Sequence, residues 1–174
     1  MNAFRDQRFT HGFIMRITIV TTGGTIDKIY FDRKSEFQVG KPQIVDVLRE
    51  ANVTLKYDVI PLLRKDSLDL TDEDRQLICD TIASHKSQHF IVTHGTDTMI
   101  TTAKILQQIR GKTIVLTGAM QPARFRLTDA VFNIASAVTG AQLLPAGVYI
   151  AMNGRIFHPE HVRKNNKLNR FEKI

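Results

Sequence analysis

The chain places a threonine next to two glycines at the point where a buried strand should end. The stretch Val20–Thr25 reads VTTGGT, in which Gly23 and Gly24 precede the last hydroxyl residue. Glycines let the backbone turn with positive φ and approach a ligand closely, so that N–H groups can face a developing oxyanion. A threonine hydroxyl is a weak nucleophile unless a neighbouring base accepts its proton. Thr25 is therefore a candidate nucleophile, although a threonine in this setting, taken alone, is more often structural.

A phosphate-binding loop is the main alternative for this glycine turn. The chain has no G-x-G-x-x-G here, and no Lys-Ser or Lys-Thr pair follows the glycines as it does in a P-loop. The residues after Thr25 do not begin a long helix whose N-terminus would receive a phosphate. The phosphate interpretation therefore fits the turn less well than an acyl-transfer site does.

A second polar stretch, His94–Thr98 with the sequence HGTDT, follows another apolar run. Asp97 stands where a helix should begin, and a carboxylate there is often only a capping residue. The same carboxylate has the right charge to hold a substrate ammonium group, and Thr96 beside it offers a hydroxyl. Both interpretations remain open from these residues alone.

The elements that carry these motifs alternate between short β-branched runs and amphipathic stretches, which is typical of an α/β protein. We predict a three-layer fold of the flavodoxin or Rossmann type, with helices on both faces of a mainly parallel, mixed sheet. Three strands end in a threonine with a glycine within two residues, at Thr21, Thr93 and Thr117. Because ligands bind outside the carboxyl ends of such strands, one crevice should receive all three ends.

The sequence also predicts how several of these elements begin, end and connect. The glycine-bounded stretch 23–40 is predicted to be a long polar loop, and the second strand is predicted to bend or end at Pro61. Thr71 is predicted to cap a helix because acidic residues follow it. Asn153-Gly154 predicts a two-residue hairpin near the end of the chain.

Four motifs, taken in order, resemble the N-terminal domain of the bacterial L-asparaginase and glutaminase family. They are TTGGTI, THGTDTM, LTGAM with a following FN, and MNGRIFHPEHVRKNN, and together they cover most of the chain from Met15. The resemblance implies a nucleophilic threonine at Thr25 and an assisting tyrosine at Tyr30. It also implies a relay formed by Thr96, Lys164 and Asp97.

The resemblance further implies where a substrate binds. A serine that grips the substrate carboxylate corresponds to Ser67, and the binding set it implies consists of Gly24, Ser67, Gly95, Asp97 and Ala119. Leu68 departs from the family, in which a polar residue is more usual beside the serine. Leucine cannot donate a hydrogen bond, so we expect a weaker affinity for free asparagine or a different preferred substrate.

Composition narrows the class of protein. The net charge of +7 is typical of nucleic-acid binders, but much of the excess lies in the last twenty residues, as in a solvated tail, so no nucleic-acid partner is expected. The single cysteine, Cys79, cannot form an internal disulfide, and no apolar run is long enough for a signal peptide or a bilayer span. We expect a cytoplasmic location. We expect no cofactor and no metal, because Pro159 disrupts the only ligand-like cluster, His158 to His161.

We predict one asparaginase-like domain over residues 15–174, an N-terminal extension over residues 1–14 that is poorly ordered, and no C-terminal domain. Family members continue into a smaller second domain, so we expect the exposed surface to form a homo-oligomer, a dimer or a tetramer. The predicted function is hydrolysis of the side-chain amide of asparagine or a related small amide, with release of ammonia. The alternative is a non-catalytic domain that binds an amino acid in the same pocket.

Overall fold

The structure, a computed structural model, describes residues 15–31 and 36–174, so the predicted extension over residues 1–14 lies outside the described residues. The strands are β1 (Arg16–Gly23), β2 (Lys28–Phe31), β3 (Glu36–Val39), β4 (Lys56–Lys65), β5 (His89–Thr93), β6 (Thr113–Thr117), β7 (Gly147–Met152), β8 (Arg155–Phe157), β9 (Val162–Asn165) and β10 (Arg170–Lys173). The helices are α1 (Ile44–Glu50), α2 (Asp72–Ser84), α3 (Met99–Leu106) and α4 (Ala130–Leu143).

Six strands form the main sheet in the order β4-β1-β5-β6-β7-β8, and only β8 runs antiparallel to its neighbour. The predicted three-layer α/β fold with a mainly parallel, mixed sheet is confirmed. If the five parallel strands are numbered by their order in the chain, they lie side by side in the order 2-1-3-4-5. The order in which strands are added therefore reverses between β1 and β5. Ligands of such sheets bind at this reversal, outside the carboxyl ends of the two strands.

The three predicted threonine ends lie in one row across neighbouring strands. Thr21 of β1 is in register with Thr93 of β5, and Thr93 is in register with Thr117 of β6. All three side chains are fully buried. The three threonines therefore belong to the buried core, and the residues just after them form the surface at the carboxyl edge of the sheet.

The core consists of two hydrophobic layers, one on each face of the sheet. On one face, α2 and α3 pack against the sheet through residues such as Ile78 and Leu106, which contact Phe90. On the other face, α1 and α4 pack through residues such as Ile44 and Ile134. Alternating residues of the same strands point to the two layers, as expected for strands that are buried on both faces.

Two local predictions were wrong. The stretch 23–40 is not a plain loop, because it contains a short 3₁₀ turn (Thr25–Asp27) and an antiparallel hairpin of β2 and β3. β4 does not end at Pro61 but runs through it to Lys65, and its pairing with β1 becomes irregular just after Pro61, so only the predicted end was wrong. β4 is an edge strand, where the missing proline N–H costs no ladder hydrogen bond.

Two other local predictions are confirmed. Thr71 caps α2, and its hydroxyl accepts from the Asp74 N–H while the Asp74 carboxylate accepts from the Thr71 N–H. Asn153 and Gly154 both have positive φ, at 52° and 72°, and join β7 to β8. A turn with two positive φ angles matches the twist of a tight hairpin.

The C-terminal strands β9 and β10 form a separate antiparallel pair that is tied back to this hairpin. The N–H of Phe171 donates to the Asn153 side-chain oxygen at 2.8 Å, and the Phe171 ring is buried. Lys164 lies opposite Phe171 in the pair. The docking of one aromatic side chain thus fixes the strand that carries Lys164. Of the helices described, none is both long and apolar enough to cross a bilayer.

Candidate functional site

The ends of β1 and β5 touch through two glycines. A side-chain carbon at Gly24 would collide with the backbone of Gly95, and Gly24 has a φ of 87° that favours glycine. The Gly24 N–H donates to the Lys65 carbonyl at 2.9 Å. This glycine therefore joins β1, β4 and β5 at the sheet's reversal point, and its N–H is not available to an oxyanion.

Ser67 lies on the other side of Gly95. It begins the 3₁₀ turn Ser67–Asp69 that follows β4, and a side-chain carbon at Gly95 would lie 2.6 Å from the Ser67 Oγ. The carbonyl of Ser67 accepts a hydrogen bond of 2.8 Å from the Thr98 hydroxyl. Within the described part of the chain the buried Ser67 Oγ has no hydrogen-bond partner. The buried hydroxyls of Thr21 and Thr93 also lack a partner there, so several unpartnered hydroxyl oxygens lie at this edge of the sheet.

Lys164 reaches from β9 into the turn after β5. Its Nζ donates to the Thr96 Oγ at 2.9 Å and to the Asp97 Oδ1 at 2.6 Å. Lys164 is mostly buried, with 16% of its side chain exposed, whereas Asp97 is 42% exposed. The structure thus brings together the three residues of the predicted relay, with the lysine inside and the aspartate facing solvent.

His94, which the sequence reasoning did not single out, holds the backbone beside this cluster. Its ring is fully buried, with Nδ1 at 2.7 Å from the Gly95 carbonyl and Nε2 at 2.9 Å from the Thr102 hydroxyl. Since a carbonyl can only accept, Nδ1 carries the proton and Nε2 accepts from Thr102. Burial lowers the pKa of His94 to about 4, so the ring is neutral at pH 7. The position of His94 in the HGTDT motif was the only sequence signal for this role.

Thr25 begins the short turn at the foot of the β2–β3 hairpin and is partly exposed. It lines a shallow cavity of about 220 Å³ together with Lys28, Gln121 and three apolar residues. The turn is held by a bond from the Ala123 N–H to the Ile26 carbonyl. Thr25 therefore sits at the junction of the glycine contact and this cavity.

Tyr30 lies on β2 with an exposed ring. Its ring is 53% exposed and lies edge-on to Phe37 at 5.4 Å between ring centroids, and Phe37 in turn contacts Phe125 at 5.9 Å. Tyr30 is not among the described residues that line the cavity at Thr25. Tyr30 therefore packs in the aromatic group formed with Phe37, and its role as the assisting tyrosine stays a prediction.

A buried carboxylate, Asp27, anchors the foot of the hairpin. Its Oδ1 accepts from the Gln43 N–H at 2.8 Å, and the Gln43 side chain accepts from Arg124 Nε at 2.8 Å. Burial raises the pKa of Asp27 from 3.8 to about 7, against the opposing effects of the Gln43 N–H and the charge of Arg64.

The loop after β6, which carries Ala119, is held by a second buried network. The Asp129 carboxylate accepts from the N–H groups of Met120 and Gln121 at 3.0 Å. The Asn133 amide donates to the Gly118 carbonyl and to Asp129, and its oxygen accepts from the Asn153 N–H. α4 therefore fixes both this loop and the hairpin that docks β9 and β10.

The β2–β3 hairpin is linked to the 3₁₀ turn that begins at Ser67 by one ion pair. The Lys28 ammonium lies 2.7 Å from the Asp66 carboxylate, next to Ser67. Partial burial alone would raise the pKa of Asp66, but the contact with Lys28 and the backbone N–H groups of Leu68 and Ser67 together outweigh it, so the pKa is lowered. Among the described residues, no group of three or more His, Cys, Asp or Glu side chains is arranged to hold a metal ion. The site is thus built from hydroxyls, one lysine, one aspartate and closely packed glycines.

Comparison with known proteins gives a consistent picture. Residues 16–173 match the family model described as "Asparaginase, N-terminal". The chain is 33% identical over 171 residues to L-asparaginase 2 of Escherichia coli, covering 86% of this chain and 46% of that protein. It is 32% identical over 162 residues to a probable periplasmic L-asparaginase of Haemophilus influenzae, with the same two coverages.

A solved structure gives the same result for the fold. The structure of L-asparaginase I from Vibrio cholerae superimposes with a TM-score of 0.80 at 27% identity, over 91% of this chain and 51% of that one. The chain thus spans about half the length of the relatives it matches. Because one of these relatives is described as periplasmic, the cytoplasmic location stays a prediction.

Proposed function

Because this chain belongs to the asparaginase family and matches its N-terminal domain, we propose that it hydrolyses the side-chain amide of asparagine or a related small amide. The products are a carboxylate and ammonia, and Thr25 is the nucleophile. Asp97 binds the ammonium of the amino-acid substrate, and Ser67 binds its carboxylate.

The observation that carries the proposal is the position of the Lys164 Nζ, within hydrogen-bonding distance of both the Thr96 hydroxyl and the Asp97 carboxylate. A lysine brought from the far end of the chain to a threonine hydroxyl is not needed to stabilise a surface turn. It is a reasonable carrier for a proton during acyl transfer. The buried Ser67 Oγ, which lacks a partner within the described residues, supports a ligand in the same crevice.

The reaction divides into two steps. The Thr25 Oγ attacks the amide carbon, and the proton lost from this hydroxyl leaves with the nitrogen as ammonia. Water then attacks the acyl ester, activated by the Thr96, Lys164 and Asp97 relay, and Thr25 regains its proton. In both steps the carbonyl oxygen gains negative charge, and each backbone N–H aimed at it is worth about 3 kcal/mol. Because the Gly24 N–H already donates to the Lys65 carbonyl, we assign the stabilisation of this oxygen to other backbone N–H groups in the turns after β1 and β5.

We also propose that the protein works as a homo-oligomer. Asp97 is 42% exposed, so one side of the crevice faces solvent and leaves room for a group from a second copy. Light scattering coupled to gel filtration would test this assembly, and a mass of one chain at micromolar concentration would reject it.

The direct test is ammonia release from asparagine and glutamine. Thr25→Ala should abolish release, and Thr25→Ser should keep part of it. Thr101→Ala, at an exposed position of α3, is the matched control and should behave like the wild type. Turnover that survives Thr25→Ala would reject the nucleophile. Calorimetric binding of asparagine without any turnover would instead favour a binding domain.

A further inference from the structure

Thr25 faces two different surroundings. On the side of Gly24, close packing joins the turn to Gly95 and to the buried hydroxyl of Ser67. On its other side lies the cavity of about 220 Å³, lined by Thr25, Lys28, Phe37, Gln121, Pro122 and Phe125. Ser67, Thr96 and Asp97 do not line this cavity. A substrate whose reacting carbon lies at Thr25 therefore has open space on the side of this cavity.

The lining of the cavity selects a neutral, apolar occupant. Phe37 comes from the hairpin and Phe125 from the loop after β6, and their rings meet edge to face at 5.9 Å. Both are large apolar side chains that remain nearly half exposed, at 48% and 41%. Such a grouping is typical of a binding surface. Among the described residues that line the cavity, Lys28 is the one cationic group, and it is already paired with Asp66 at 2.7 Å. These residues therefore do not require an anion.

The connectivity of an amide decides which part of the substrate enters this space. The carbonyl carbon carries an oxygen, an acyl chain and a nitrogen. In the proposed function the acyl chain runs back to Ser67 and Asp97, and the oxygen is held by backbone N–H groups. Only the nitrogen remains to point away from that end, so a group in the cavity must be a substituent of the leaving nitrogen.

Resting on the proposed function, we propose that the substrates of this protein include secondary amides whose leaving nitrogen carries an apolar or aromatic group, which binds in this cavity against Phe37 and Phe125. A primary amide leaves this cavity empty. A phenyl or short alkyl group on the nitrogen fills it, and the aromatic rings on its two walls favour a ring in an edge-on or offset arrangement.

The reaction balances in the same way as for a primary amide. The Thr25 oxygen bonds to the carbonyl carbon, the carbon–nitrogen bond breaks, and the nitrogen leaves as an amine that carries the proton from Thr25. Water then cleaves the ester, so that one amide and one water give one carboxylate and one amine. No oxidant, metal or co-substrate other than water is required.

The experiment compares asparagine with its N-phenyl derivative, the β-anilide of aspartate, on the full chain. Ammonia is measured for the first and aniline for the second, and the readout is the ratio of the two kcat/KM values. Phe125→Ala and Phe37→Ala should each lower the ratio of anilide to asparagine by at least about fivefold, since each removes one aromatic wall. Phe132→Ala removes an exposed phenylalanine that does not line the cavity, and it should leave the ratio unchanged.

Two results would overturn the inference: hydrolysis of asparagine without hydrolysis of the anilide, or an equal ratio in all variants. If neither compound is turned over, the proposed function fails, and calorimetry still decides the cavity. The anilide should then bind at least about tenfold more tightly than asparagine, and Phe125→Ala should remove that difference. Equal affinities for the two compounds would reject the cavity as a binding site. Thermal unfolding of each variant verifies that it is folded.

Discussion

Gly24 lies directly against Gly95, with no space between the two backbones for a side-chain carbon. Because Gly24 follows β1 and Gly95 follows β5, this contact closes the sheet at the point where its strand order reverses. It also sets the separation between Thr25, one residue on from the first glycine, and Thr96, one residue on from the second. The distance between the two candidate hydroxyls is therefore fixed by backbone packing rather than by side-chain contacts.

Gly24→Ala should lower the free energy of unfolding by at least about 3 kcal/mol, because the new carbon meets backbone atoms and the residue keeps a positive φ. Gly111→Ala is the matched control, since Gly111 also has a positive φ, of 73°, but open space around it. It should cost only about 1 to 2 kcal/mol. Urea denaturation measures both. Equal losses would mean that the φ angle alone matters and that the glycine contact does not.

Lys164→Met should lower kcat/KM for asparagine by at least about a hundredfold, because it removes the only cationic group that contacts Thr96 and Asp97 in the described chain. Lys104→Met is the control, as this lysine forms an exposed ion pair with Glu160 at 3.3 Å. A surface pair of this kind contributes at most about 1 kcal/mol to stability and nothing to the reaction. Comparable losses in the two variants would indicate a general charge effect and would remove Lys164 from the relay.

Some of this geometry was predictable from the sequence, because it follows from topology. Once parallel strands are predicted, the ends at Thr21, Thr93 and Thr117 must lie along one edge, and the structure places them in one register row. The hairpin of β2 and β3 was not predictable, because each strand has only four residues, too few to give a clear alternation between the glycines.

The site's supporting contacts were missed for a different reason. The role of His94 depends on Thr102, in the helix α3 that follows, and on the carbonyl of the next residue. The pattern of apolar and polar residues around His94 does not predict these contacts. The cavity beside Thr25 needs the loop that carries Phe125, which is held in place by Asp129 through backbone N–H groups. Contacts between side chains and distant backbone atoms leave no periodic signal in a sequence.

Two buried groups should give opposite pH dependences of stability. The pKa of Asp27 is raised from 3.8 to about 7, so the folded state keeps a proton that the unfolded chain releases, and stability falls as pH rises through this range. The pKa of His94 is lowered from 6.5 to about 4, so the unfolded chain gains a proton that the folded state refuses, and stability falls as pH drops below 6.5. Between pH 4.5 and 6.5 the two slopes oppose each other in the wild type.

Substitution should separate these slopes. In Asp27→Asn the free energy of unfolding should rise with pH by up to about 1.4 kcal/mol per unit, and in His94→Asn it should fall by a similar amount. The carboxyl groups whose pKa values are lowered, such as Asp66 and Asp74, act mainly below this window, because they lose their contribution as pH falls through their lowered pKa values. Urea denaturation at five pH values gives the slopes. The same slope in both variants would contradict the assignment.

Thr98→Val should raise KM for asparagine about three- to tenfold with a smaller effect on kcat, because the Thr98 hydroxyl holds the Ser67 carbonyl at 2.8 Å and thereby sets the position of the serine that is proposed to bind the carboxylate. The substitution keeps the β-branched shape at the start of α3, where Thr98 makes no side-chain capping bond. Thr101→Val, at an exposed position of the same helix, controls for the change in polarity and should leave KM unaltered. Steady-state ammonia release measures both constants. If Thr98→Val lowered kcat and spared KM, the bond would serve the chemical step, and Ser67 would not be the residue it positions for binding.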